Sequence, residues 1–338
     1  MSFKRFDQED IVVSAESVTA PLWTNNVINL TAFYTSSTQV SSTSGDYYYN
    51  VFNTASTNPS AAGQFSIAYA DKLGGGTLQY NASVTGKSPS STIYGQYRNL
   101  VLGDEESEFT FGGETSDHFY VVSVDRARYK EKLLPGTLSL HLRSGSREIK
   151  LTDNSRVVAT TTFTDSGRVF EIVSGSGGTV YTGANANGYS ISGSYGKFLP
   201  DVGILLINGK AIDLPFATGG GIGLKTVRTA NTSGLNLKLF FSALTKGGNF
   251  RLNSEETISS NFIFVRARNA EFNYSTNPSL LSGSGEIRHN VMINTPQSYI
   301  TGVGLYNDNN DLLAVAKLSR PLLKDFTKEA LVRIKLDY

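Results

Sequence analysis

The sequence predicts an all-β protein of multi-sheet sandwich or barrel-like architecture, able to divide into two β subdomains and holding little helix. Three observations carry that expectation. Gly (33), Phe (19) and Tyr (17) are abundant beside two Met in 338 residues, and with many Ser, Thr and Asn they favour strands and turns over helices. Through the middle of the chain, turn signals recur roughly every 8 to 12 residues, the rhythm of a sandwich or barrel. The segment Tyr299 to Tyr338 carries three apolar runs, and the last of them alternates residue by residue.

That last segment organises the chain. Its first two runs, Tyr299 to Tyr306 and Leu312 to Leu318, flank an Asn/Asp cluster. Asn and Asp tolerate positive φ and bond their own backbone, so the pair reads as a hairpin. The third run sets Ala330, Val332, Ile334 and Leu336 on one face and Leu331, Arg333, Lys335 and Asp337 on the other. This is the period of a half-buried strand. The chain is therefore expected to end inside a sheet.

Taken in order, residues 1–30 read as an N-terminal arm and a first strand, with Trp23, the single Trp, as an anchor. Residues 31–151 read as a β domain. It opens on a polar tract from Thr35 to Asp46, expected as a surface loop. The strand formers Tyr47 to Phe52 and Phe65 to Ala70 follow, then a mostly apolar and buried stretch from Ile93 to Leu102. From Tyr120 to Tyr129 the residues alternate, which places Arg126 and Arg128 together on one strand face. Residues 152–216 break into short runs, among them Val157 to Phe163, Val169 to Val173, Tyr189 to Ile191 and Val202 to Ile207, and read as a middle subdomain inserted between its neighbours. Residues 217–338 read as a C-terminal β domain that closes the core, with Leu235 to Leu244 as a strand or buried segment and Phe262 to Asn269 as a strand bearing Arg266 and Arg268. Val-Asp-Arg-Ala-Arg and Val-Arg-Ala-Arg echo one another in the two halves, weak support for a duplication.

Bulk properties narrow the function. Thirty Lys plus Arg against 29 Asp plus Glu leave a net charge of +1, so no global field draws the chain to nucleic acid or an anionic membrane. Cysteine is absent, which removes disulfides, thiol catalysis and thiolate metal sites together. The N-terminal residues lack the apolar core of a signal peptide, and no window approaches ~18 apolar residues. Cytosolic synthesis and a soluble product are expected.

Each motif that suggests chemistry meets a physical objection. Gly219 to Thr226 resembles a phosphate-binding loop, but Leu224 separates Gly223 from Lys225 and the sequence after it has no helical period. His118, His141 and His289 have no ligand partner at metal spacing. Asp104, Glu105, Glu106 and Glu108, like Glu255 and Glu256, are sequence neighbours, whereas a glycosidase needs carboxyls opposed about 5 to 9.5 Å apart. Asp308 to Asp311 lacks the ligand order of a calcium loop and reads as a turn. No Gly-x-Ser-x-Gly elbow occurs. The expectation is a protein that is not an enzyme and holds no cofactor or metal. Its interaction residues are Trp23 and the pairs Arg126/Arg128 and Arg266/Arg268, whose guanidinium groups suit carboxylates on a neighbouring strand or subunit.

The phrases Phe3 to Trp23, Tyr97 to Leu102, Val124 to Leu142 and Ser254 to the C-terminus resemble a structural protein of contractile-tailed bacteriophages of the cyanophage type. Tyr299 to Leu318 is similar to a segment of tail-collar and fibre-attachment proteins. The resemblance implies a virion component of the tail, baseplate or fibre junction, localised to the particle and made in the host cytoplasm. It implies other virion structural proteins as partners and a homo-oligomer in the assembled particle, without nucleic-acid or membrane partners. A head, neck or capsid-decorating protein is the alternative within that class. A receptor-binding or glycan-binding tail protein, suggested by Tyr47 to Tyr49 and Tyr181 to Tyr189, is another, and a polysaccharide-degrading spike is a third. Residues 1–23 are the expected interaction arm.

Overall fold

The computed structural model describes residues 4–35, 48–77, 87–186, 195–229, 234–275 and 277–337. The polar tract after Thr35, Tyr47 and the run Tyr189 to Ile191 lie outside the described residues. Strands dominate, as the composition predicts. In chain order they are β1 (Ile11–Pro21), β2 (Asn29–Leu30), β3 (Tyr34–Thr35), β4 (Tyr48–Phe52), β5 (Gly63–Asp71), β6 (Thr110–Phe111), β7 (Glu114–Thr115), β8 (His118–Val124), β9 (Lys132–Leu133), β10 (Ser139–Ser144) and β11 (Arg147–Asp153). They continue through β12 (Thr162–Thr164), β13 (Gly167–Ser176), β14 (Thr179–Val180), β15 (Gly196–Leu199), β16 (Ile204–Asn208), β17 (Phe250–Arg251), β18 (Asn253–Ala267), β19 (Ser298–Tyr306), β20 (Leu312–Lys324) and β21 (Ala330–Asp337). Two helices of several turns stand among them, α1 (Pro89–Leu102) and α4 (Leu235–Gly247), with the short α2 (Gly209–Asp213), α3 (Phe216–Gly219) and α5 (Val291–Asn294).

The chain divides into two compact units, Val18–Glu256 and Met1–Ser17 with Thr257–Tyr338. In the larger unit one curled antiparallel sheet runs in the order β2-β17-β10-β11-β13-β15-β16-β8-β5-β4-β3. Its end strands are consecutive in sequence, since only residues 31–33 separate β2 from β3. A three-residue link spans at most ~13 Å, so the sheet must bend round until its two edges are neighbours. Aromatic rings fill the inside of the bend. Phe65 on β5 and Phe250 on β17 lie near opposite ends of the strand order, yet their ring centroids are 5.2 Å apart.

Helix α4 packs into the same core, stacking Phe240 on Tyr120 at 4.5 Å. The other face of the sheet is covered by α1, whose Tyr94 and Val101 join Phe109, Phe111, Phe119 and Leu206 in a second core. These helices refine two expectations, a buried stretch at Ile93 to Leu102 and a strand or buried segment at Leu235 to Leu244. Ile93 to Leu102 is buried on one side as the last turns of α1, and Leu235 to Leu244 is α4, not a strand. Residues 152–216 also differ from a separate subdomain, because β11, β13, β15 and β16 are central strands of the one large sheet.

The smaller unit is built on the strand order β1-β18-β21. β18 and β21 pair antiparallel, Ile263 opposite Ile334 and Val265 opposite Val332. Ile334 is 6% exposed while Leu331 is 59% exposed, so the alternation sorts the two faces as the sequence predicts. The hairpin β19–β20 lays Val303, Leu305, Ala314 and Ala316 on the buried face. Its turn is the Asn/Asp cluster. Asn310 takes φ +65°, and Asn307 Oδ1 accepts the amides of Asn309 (3.0 Å) and Asp311 (2.8 Å).

Candidate interaction surface

The residues expected to mediate interaction fall in different settings. Trp23 is 2% exposed. Its indole donates to the Phe250 carbonyl at 2.7 Å, and its ring meets Phe250 at 4.8 Å and Phe65 at 6.0 Å. It anchors the core of its own unit. Strand β8 ends at Val124, so Arg126 and Arg128 lie in a 3-10 turn, not on a strand face. The reason is Asp125, whose carboxylate accepts the Ala127 amide at 3.0 Å and caps the turn. Arg126 lies over the Tyr129 ring at 4.5 Å and donates to the Lys130 and Glu131 carbonyls, while Arg128 donates to Thr24 Oγ1. Arg266 is on β18 and exposed, and Arg268 follows the strand end. There the Arg268 amide donates to Glu271 at 2.8 Å, which holds that carboxyl below its ordinary range. The second of the two sequence echoes is thus mostly strand and the first a turn.

Most amides of the glycine-rich stretch are already taken by protein acceptors. The amides of Gly219, Gly220, Ile222, Gly223 and Leu224 donate to the carbonyls of Pro215, Phe216, Ile212, Leu214 and Ile212. The Thr226 amide and hydroxyl both donate to Asp213, at 3.0 and 2.7 Å. His118 contacts the same carboxylate at 3.3 Å, so Asp213 fastens this connector to the sheet.

Two further polar groupings join elements that sequence reading left apart. Arg228 Nε donates to the fully buried Asp71 at 2.7 Å, and Tyr69 donates to it at 3.1 Å. Burial, helped by that carboxylate, pushes the Tyr69 phenol far above its ordinary value. On β10, His141 Nδ1 lies 2.8 Å from Glu148 Oε1 and Nε2 lies 3.5 Å from Ser139 Oγ. Ser139 is buried, its hydroxyl 2.8 Å from Ser176 Oγ and accepting from Asn249 at 3.0 Å. This row ties four strands or their ends together. Among the described residues no three His, Asp or Glu side chains converge to hold a metal. Asp104 caps the Glu106 amide at 2.8 Å, while Glu255 and Glu256 pair with Lys132 and Lys130.

Comparison with known proteins adds no relative. No family model, curated protein or solved structure matches the chain.

The most unusual surface is that of β1 and of the strands from residue 298 on. Every residue from Ile11 to Ala20 is exposed, on both faces of β1. Val13 is 70% exposed, and Ile11, Val12 and Val18 stand out beside it. The outer face of the hairpin shows Leu313 and Val315, and β21 shows Leu331. Fully buried apolar side chains are few by comparison, with Ile263, Leu305 and Ile334 at the centre. A sheet edge of this kind presents unpaired amides and carbonyls, and proteins ordinarily blunt it with charge, bulges or cover. Here one carboxylate, Glu16, and the terminal Pro21 are the only such features of β1. The arm expected from the sequence is therefore a strand exposed along its length.

Proposed function

We propose that the chain is a non-enzymatic structural protein of a tailed-phage virion, a tail, baseplate or fibre-junction component that works through protein–protein contacts of the smaller unit. The observation that carries this reading is the uncovered β1 edge, with its four large apolar residues in solvent. Exposed apolar surface of that extent marks a place where another protein fits, and an open edge strand accepts a partner strand. The thin core of the unit points the same way, because a small domain with little buried apolar area gains stability from association. Resemblance of Phe3 to Trp23 and of the C-terminal segment to phage structural proteins supports the virion setting.

Mass spectrometry of purified particles, with tails and heads separated, tests the reading. The chain is expected in the tail fraction. Finding it only in heads would move it to the neck or capsid, and absence from particles would end the virion assignment.

A further inference from the structure

We propose that β1 of one copy adds to the free edge of β21 in another copy, so that the protein assembles head to tail with itself. This deepens the structural reading above and rests on it. The two edges belong to the same sheet, since β1 and β21 are the ends of the order β1-β18-β21 among the described residues. A sheet with two open ends can be continued by copies of itself, giving a heterologous contact that closes into a ring or runs on as a filament.

Charge selects this pairing over the alternatives. The single charge on β1 is Glu16, exposed and without an ion pair among the described residues. The outward side of β21 carries Arg333 and Lys335, both exposed, both near the Phe262 ring at 5.6 and 5.9 Å. Lys335 is paired within the strand to Asp337 at 3.1 Å, while Arg333 has no carboxylate partner among the described residues. Two β21 edges facing each other would oppose cation to cation, and directly opposite like charges destabilise a strand pair. Two β1 edges facing each other would leave the cations of β21 unmatched. Joining β1 to β21 puts the lone anion beside the cations. It does so in either strand sense, because Glu16 can lie opposite Arg333 with Val18 opposite Leu331, or opposite Lys335 with Val12 opposite Leu331. In the first case the apolar pair is next to the ion pair on the same face, in the second Ser14 opposite Arg333 stands between them, and in both β21's eight residues lie wholly along β1.

Charge exchange tests the proposal in the full chain. Sedimentation across a hundredfold concentration range is expected to show the natural protein growing beyond a dimer. E16K and the double variant R333E/K335E are each expected to weaken self-association about 100-fold, since like charges across an interface are strongly unfavourable. An equimolar mixture is expected to regain assembly, because each variant then offers the edge the other needs, and a misfolded variant could not do so. A natural protein that stays monomeric, or stops at a dimer, overturns the inference, as does unchanged assembly in the single variants or no recovery in the mixture. Self-association failing while the chain is still found in purified tails would leave the structural reading standing with a different partner.

Discussion

At the scale of single residues, polar groups taken out of water are matched to partners, and each match has a testable cost. Lys324 is fully buried, and its ammonium donates to the Asn269 carbonyl (2.9 Å), Asn273 Oδ1 (2.7 Å) and the Asp325 carbonyl (3.0 Å). Three acceptors match its three donors. Lys324→Ala is expected to destabilise the smaller unit by about 2 to 3 kcal/mol, because those acceptors lose their donor; chemical denaturation gives the figure. Trp23→Ala is expected to cost about 3 to 5 kcal/mol in the larger unit, and Trp23→Phe less. An unchanged denaturation midpoint in Trp23→Ala would contradict its place in the core. His141 provides the pH dependence. Burial lowers its pKa below the ordinary 6.5, and the nearby Glu148 only partly offsets this. The folded state then binds fewer protons than the unfolded chain, so the contribution is complete above about pH 6.5 and is lost as pH falls through the folded value. A nuclear magnetic resonance titration of His141 should give a midpoint below that of a free histidine. A midpoint above it would reverse the sign.

At the scale of elements, strands and turns were legible in the sequence, and helices were not. Alternation in residues 330–337 shows the buried face of β21 because one side of that strand packs and the other does not; its partner strand is not readable from it. For α1 the markers were present: Ser88 accepts the Ser91 amide, Pro89 opens the first turn, and Gly103 closes the helix at φ +74°. Propensity masks them, because Tyr, Val and Ile in the helix suggest a strand, and packing on the sheet overrides that preference. Helix α4 ends at Gly247, where an added Cβ would lie 2.0 Å from the His141 carbonyl oxygen. Gly247→Ala is therefore expected to push α4 off β10 and lower the melting temperature by several degrees, an effect that calorimetry would detect. On β21, Ile334→Ala should cost about 2 to 4 kcal/mol and Leu331→Ala well under 1. Equal losses would mean the register is wrong.

For the molecule as a whole, the composition announced the fold class but not the way the chain is partitioned. A linear reading placed boundaries near residues 30, 151 and 216, whereas the compact units join the first 17 residues to the last 82. Such a joining rests on pairing between strands far apart in sequence, and no local pattern reports it. The candidate surface was half legible. An N-terminal arm was expected, whereas β1 is an exposed strand paired with β18, and Trp23 and the Arg126/Arg128 pair serve the interior and a local turn. Unequal cores lead to a further expectation. Thermal unfolding should occur in two steps, with the step of the smaller unit rising in temperature as protein concentration rises. A single step at the same temperature at all concentrations would argue against partner-dependent stability.

The nearness of β2 to β3 has a consequence for biosynthesis. β2 pairs with β17 some two hundred residues later, so a chain still leaving the ribosome holds one margin of its main sheet unmatched until Phe250 emerges. Such late, distant pairing is slow. Completion of the main sheet is therefore expected only after Phe250 has been made, a delay that protease protection of truncated nascent chains would reveal.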